Sequence, residues 1–391
     1  MKSKRFTIIS IFLIALFVSA CSQSEMNGSQ DSQVESGKSP VRVAFVGPLT
    51  GPGSADLRLA ANGAQLAVDQ RNDAGGICGG HQVELVLEDD KADPKEGATV
   101  ATKLVEDESI LAVAHGWNSS VVLAAAPIFN EGGLPQVDYF GVAPAIREAG
   151  PYTFRVIPTG DLMARYLANW MIADEGHQRI AAVYENTDYG KGLFDVFEEE
   201  ANSLGAELVE SEAVLMDQKD FSAIISRFKA SNADAVIIFG QYEAAAFLAK
   251  QSEELDFSAT IYGSDGIFAP ELISLAGSSA EGIRSVAAYT LESEIPNVAD
   301  FVNSFRETFD VDPNNGAGYA YDTMVLMLNA LDGGDCTREG AKEWLTTEVN
   351  DHQGVTGIIT FDEMGDRQFQ EGMYVKLVVS DGEFKEYSVN D

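Results

Sequence analysis

The chain is 391 residues long and 45% hydrophobic, with 61 acidic against 26 basic side chains and a formal net charge of −35. That balance argues against nucleic acid as a partner and against electrostatic docking on anionic lipid. The length favours two domains over one, and beyond the N-terminal segment no stretch is apolar for long enough to cross a bilayer.

Lys2, Lys4 and Arg5 form a basic start, and residues 8–18 follow as an apolar run too short for a spanning helix. Residues 1–20 read as a signal peptide. Val18-Ser19-Ala20-Cys21 resembles a bacterial lipobox, in which Cys21 would be the lipidation site; the alternative is a plain secretory signal cleaved near Ala20. Both readings export the chain. Residues 21–40 are polar and read as a lipidated flexible tether. Cys78 and Cys336 are then an even pair in an oxidising compartment. A disulfide between them and two free thiols are both open.

Residues 41–47 read as a buried strand and 48–53 as a turn-rich loop. The next helix carries Leu57, Ala60, Ala61, Ala64 and Ala67 on a small-residue face and ends near Asp73, ahead of Gly75-Gly76. Residues 83–87 alternate as a strand does, and Pro94 opens a second helix. Residues 110–114 are a short, uncharged apolar run that suits a strand covered on both faces. Gly116-Trp117-Asn118-Ser119-Ser120 follows, with Asn118 or Ser119 placed to cap a helix over 121–130. Gly132-Gly133 stop that helix, and 134–137 begins a strand that ends in Asp138-Tyr139-Phe140-Gly141-Val142. The order β-α-β-α-β-α-β implies a parallel sheet with right-handed crossovers. Two adjacent strands then end in loops rich in hydroxyl, amide and aromatic groups, at the edge where open α/β sheets bind ligands. Trp117, Tyr139 and Phe140 would be costly to expose without a use; ordinary surface loops are the plain alternative.

After residues 152–157 the pattern restarts. Helices are expected over 161–174, 191–204, 221–230 and 244–255, and strands over 179–184, 206–214, 235–239 and 260–262. The loops between them are tipped by Tyr189, by Gln241-Tyr242 and by Asp265. From 282 the organisation changes, to helices over 298–309, 317–331 and 338–349 and then strands over 357–361, 374–379 and 384–387. Asp381-Gly382 marks a hairpin turn. These elements are too few for a third domain and should complete the two sheets already begun, with the chain crossing between lobes more than once.

With these residues in place, the chain resembles the type I periplasmic binding proteins that serve branched-chain amino acid and amide ABC importers. The resemblance rests on 43–52, on Asp73-Ala74-Gly75-Gly76-Ile77, on Glu88-Asp89-Asp90 followed by Asp93-Pro94, on Gly133-Leu134-Pro135, on Asp188-Tyr189-Gly190-Lys191-Gly192, and on Ser279-Ala280-Glu281-Gly282. It implies an α/β fold of two doubly wound parallel-sheet lobes joined by three crossovers. Lobe 1 would take 41–158 with 288–356, and lobe 2 would take 159–287 with 357–391. The family's head-group residues fall on Ser119, with Trp117 and Asn118 beside it, on Phe140, Gly141 and Val142, and on Tyr189, Gln241 with Tyr242, and Asp265. Ser119 would bind a carboxylate or carbonyl at a helix N-terminus, and Asp265 would pair with an ammonium. Val142 stands where the family has Thr, which removes one head-group bond. The implied function is binding of a small amino-acid-like, amide or amine-bearing solute and its delivery to an ABC permease in the cell membrane. A ligand sensor of the same fold, signalling to a membrane receptor, is the alternative.

An enzyme reading finds little to work with. The sequence has no Gly-x-Ser-x-Gly elbow, phosphate-loop Lys or His-Glu-x-x-His, and His81, His115, His177 and His352 lack metal-ligand spacing. No cofactor and no metal are expected.

Overall fold

The computed structural model describes residues 38–51, 54–291 and 293–388. The signal peptide, Cys21, most of the tether, and Pro52-Gly53 of the first loop lie outside the described residues.

The first sheet holds β1 (Val41–Gly47), β2 (Val83–Asp89), β3 (Ile110–His115), β4 (Gln136–Asp138) and β5 (Thr153–Arg155). They lie in the order β2-β1-β3-β4-β5, all parallel. Helices α1 (Ser54–Asp73), α2 (Pro94–Glu106) and α3 (Ser119–Glu131) connect the first four. Alternate residues of β1 face opposite sides. Val43 and Phe45 join Leu57 and Ala64 of α1 in one core, while Ala44 and Val46 join Leu104 of α2 and Phe129 of α3 in another. A strand buried on both faces needs an unbroken apolar run, which is what β1 and β3 have.

The second sheet begins after α4 (Gly160–Asn169), whose last turn widens into a π-helical segment at Trp170–Asp174. It contains β6 (Arg179–Glu185), β7 (Glu207–Val214), β8 (Ala235–Phe239), β9 (Thr260–Gly263) and β10 (Arg284–Ala287), linked by α5 (Asp188–Ser203), α6 (Ser222–Ala230), α7 (Tyr242–Glu254) and α8 (Pro270–Ala276). Here too β8 is two-faced, with Ile237 and Phe239 in one core and Val236 and Ile238 in the other.

The remaining elements return to both sheets. Helices α9 (Val298–Phe309), α10 (Asn315–Gly333) and α11 (Arg338–Thr347) join the first sheet's side, α10 lying along α1. The approach is close enough that a Cβ on Gly63 would collide with the Ala317 carbonyl oxygen. A small ribbon follows, β11 (His352–Gly354) with β12 (Gly357–Ile359), and then β13 (Val375–Ser380) and β14 (Glu383–Glu386) complete the second sheet. Its order is β14-β13-β10-β9-β8-β6-β7; β13 and β14 run antiparallel, so this sheet is mixed at one edge. The chain therefore passes three times between the sheets. The segment expected to leave for lobe 2 at Gly357 instead stays beside the first sheet: Asp366 pairs with Arg155 of β5, and Arg367 donates to the Val156 carbonyl. The strand expected over 357–361 is only the β12 half of the ribbon.

Cys78 and Cys336 form a disulfide with Cα atoms 5.8 Å apart, tying the loop after α1 to the loop after α10. Among the described residues no helix is long and apolar enough to cross a membrane.

Candidate functional site

A cavity of about 50 Å³ lies where the strand ends of the two sheets meet. Phe140, Asn315 and Tyr319 line it from the first sheet's side, and Asp265, Phe268 and Ala287 from the second, with Ile157 and Pro158 of the first crossing between them. Pockets that hold drug-sized ligands run to roughly 300–1,000 Å³, so admitting a solute requires the walls to part.

On the first side, the wall is set by two strand ends. Trp117, after β3, has φ of 89°. That region is strained for a bulky side chain. The conformation places its ring against Phe140, with centroids 5.0 Å apart and planes 14° from parallel. Asn118 is the N-cap residue of α3 by position, yet its side chain makes no cap bond. Ser119 does not cap either: its Oγ accepts the Ala143 N–H at 3.1 Å. The segment after β4 is shaped by two buried ionic groups. Asp138 Oδ1 accepts the N–H groups of Phe140 (2.9 Å) and Gly141 (2.6 Å). Arg155 donates to the Ala143 carbonyl at 2.9 Å while its other nitrogens hold Asp366. Burial raises the Asp138 carboxyl to about 7 against those two bonds.

The second wall is built in the same way. Glu185, at the end of β6, accepts the Gln241 N–H at 2.9 Å and so joins the loops after β6 and β8; burial lifts it to about 7. Tyr189, near the start of α5, donates to Asp265 Oδ1 at 2.8 Å, meets Ser264 Oγ at 2.7 Å and accepts the Gly266 N–H at 3.1 Å. Burial raises the Asp265 carboxyl above its ordinary range although the Tyr189 and Gly266 bonds oppose it. Among the described residues no cation pairs with it.

Of the residues singled out from sequence, Phe140 and Asp265 line the cavity, Tyr189 holds Asp265, and Trp117 supports Phe140. Ser119 and Val142 are buried behind the wall, Gly141 with them, while Gln241 is exposed and Tyr242 half-buried within the first turn of α7. Tyr139 is a correction. It is fully buried, stacked on Phe45 at 4.9 Å and donating to the Val46 carbonyl, and is a core residue. Sequence reasoning missed Tyr319, Asn315, Phe268 and Tyr374. The signal was present for α10, whose Asn314-Asn315-Gly316-Ala317-Gly318-Tyr319 start is glycine-rich where a backbone must approach something closely.

Two further acids complete the picture. Asp90, at the end of β2, is pushed up to about 7 by burial, and His115 down to about 4; at 3.8 Å the two are a neutral buried pair and not an ion pair. Among the described residues no group of acidic, His or Cys side chains could hold a metal.

The sequence model of a family described as periplasmic binding protein matches residues 40–383. A Leu/Ile/Val-binding protein homologue of Brucella abortus is 29% identical over 322 residues, covering 82% of this chain and 85% of its own. A leucine-, isoleucine-, valine-, threonine- and alanine-binding protein of Pseudomonas aeruginosa is 27% identical, over 83% of this chain and 87% of its own. Among solved structures, the leucine-binding protein LivK of Thermotoga maritima aligns with TM-score 0.81 at 27% identity, over 89% of this chain and 98% of that one.

Proposed function

The chain belongs to the periplasmic binding protein family, and from that premise we propose that it is the extracytoplasmic solute-binding component of an ABC importer. Its ligand is a small amino-acid-like, amide or amine-bearing solute, held between lobes of 41–158 with 288–356 and 159–287 with 357–391 that hinge shut. The observation that carries the reading is the shared cavity: Asp265 comes from one sheet, Phe140 and Tyr319 from the side of the other. A solute that touches both walls binds only the closed form, so it shifts the population toward closure by its differential affinity. A permease can then read the closed pair of lobes as the loaded state.

The named relatives bind branched-chain amino acids, which supports the solute-binding role. The wall residues argue for a different head-group chemistry from theirs, since Val142 brings no hydroxyl and Ser119 is engaged with Ala143. Export through residues 1–20 and lipidation at Cys21 would hold the protein at the outer face of the membrane, near its permease. The test is a thermal-shift screen of the full-length protein against amino acids, amides and amines. A ligand present at about 100 times its Kd raises stability by roughly 2.7 kcal/mol. A flat response across all three classes would refute the proposal.

A further inference from the structure

The groups that could receive a carboxylate in this cleft are already occupied. The N–H groups of Phe140 and Gly141 are given to Asp138 at 2.9 and 2.6 Å, and that of Ala143 to Ser119 at 3.1 Å. The Val142 carbonyl accepts from the Gly160 N–H at 2.8 Å. Ser119 is 4% exposed and does not line the cavity, and no Lys or Arg lines it.

For a cation the position is reversed. Asp265 offers a carboxylate with no ion pair among the described residues, and Tyr189 holds it from one side only. Tyr319 is 3% exposed, lines the same cavity, and its hydroxyl has no hydrogen-bond partner. A buried hydroxyl left unpaired costs stability unless something completes it. Phe140, Phe268 and Tyr374 add aromatic surface, on which a cation and its apolar skeleton are both accommodated. Beside the start of α10, Asp56 of α1 feels Glu271 and Glu243 of the opposite lobe, and burial together with these like charges raises its carboxyl. Acidic groups facing each other across a closing gap repel until a positive charge enters, and they draw one in.

We propose that the cleft takes a primary ammonium compound on a small apolar skeleton with no carboxylate, its N–H groups shared between the Asp265 carboxylate and the Tyr319 hydroxyl. This rests on the solute-binding reading and narrows it. Three probes of one skeleton separate the alternatives: isoamylamine, which is leucine without its carboxylate, leucine itself, and isocaproate, which lacks the ammonium. In calorimetric titrations of the full-length protein, isoamylamine should bind at least about ten-fold tighter than leucine, and isocaproate should give no binding heat. Asp265→Asn should weaken the amine by at least roughly 30-fold and Tyr319→Phe by about three- to ten-fold, with circular dichroism confirming that both variants fold. Leucine binding as tightly as the amine, or tighter, overturns the inference and leaves the solute-binding reading standing. Failure of isoamylamine alongside a hit from another class in the thermal-shift screen has the same meaning. Failure of every class overturns both.

Discussion

Asp138→Asn isolates what a buried acid does to this fold. In the folded chain Asp138 has both its oxygens out of water, and its carboxyl is raised to about 7 by desolvation, with Arg155 and the two loop N–H groups pulling the other way. In the unfolded chain the same carboxyl ionises near pH 3.9. Between those two values the folded state binds a proton that the unfolded state has lost, so folding takes one up and stability falls as pH rises. Each unit of pH costs about 1.4 kcal/mol, so the full span of roughly three units costs up to about 4 kcal/mol. Asparagine keeps an oxygen for the Phe140 and Gly141 N–H groups and carries no titration. Relative to wild type, the variant should gain stability steadily from about pH 4 to pH 7 and hold a constant advantage above. Urea unfolding of both proteins at pH 5 and at pH 8 measures this. A difference between the two proteins that is the same at both pH values would show that Asp138 does not exchange its proton on folding, and the argument would fail.

Three other outcomes follow from contacts described above. Ser119→Ala leaves the Ala143 N–H without its acceptor and should lower unfolding free energy by about 1–3 kcal/mol; an unmoved denaturant midpoint would mean water replaces the hydroxyl freely. Breaking the bridge between Cys78 and Cys336, 258 residues apart, by replacing both with Ser should cost about 2–5 kcal/mol. A reductant added to wild type should reproduce the loss, and no change under either treatment would refute it. Gly63→Ala forces α1 off the Ala317 carbonyl and should destabilise by roughly 1–3 kcal/mol, read as a lowered melting temperature; an equal melting temperature would show that the two helices can separate at no cost.

The layout of the fold was legible because its signals are local and repeated. Runs such as 41–47 and 110–115 are apolar at every position, which only a strand covered on both sides requires, and each is punctuated by Gly or Pro before a helix. The Asp381-Gly382 turn announced the β13–β14 hairpin, and the shortage of elements after 282 required them to rejoin the existing sheets. The end of that path was less legible. Residues 357–368 stay with the first sheet because Asp366 meets Arg155 at 2.6–2.8 Å, a pairing across 211 positions that no local pattern encodes. The same holds for the close approach of Gly63 to α10.

The cleft was legible in location and only partly in content. An aromatic residue at a strand end looks the same in sequence whether it faces a ligand or the core; Phe140 does the first and Tyr139, one position earlier, does the second, because successive side chains on an extended backbone point to opposite sides. Ser119 illustrates a second limit. A hydroxyl at a helix start is read as a ligand group or a cap, but here the neighbouring loop consumes it, and the loop is held in place by Asp138 and Arg155. Once Asp138 has taken the N–H groups of Phe140 and Gly141, and Val142 offers only methyl groups, the first lobe has little left with which to hold an anion. Its contribution to recognition then falls on rings and on one unpaired phenol, Tyr319. The ligand charge is therefore decided by Asp265 on the opposite lobe, and the buried acid at residue 138 sets specificity without touching the solute.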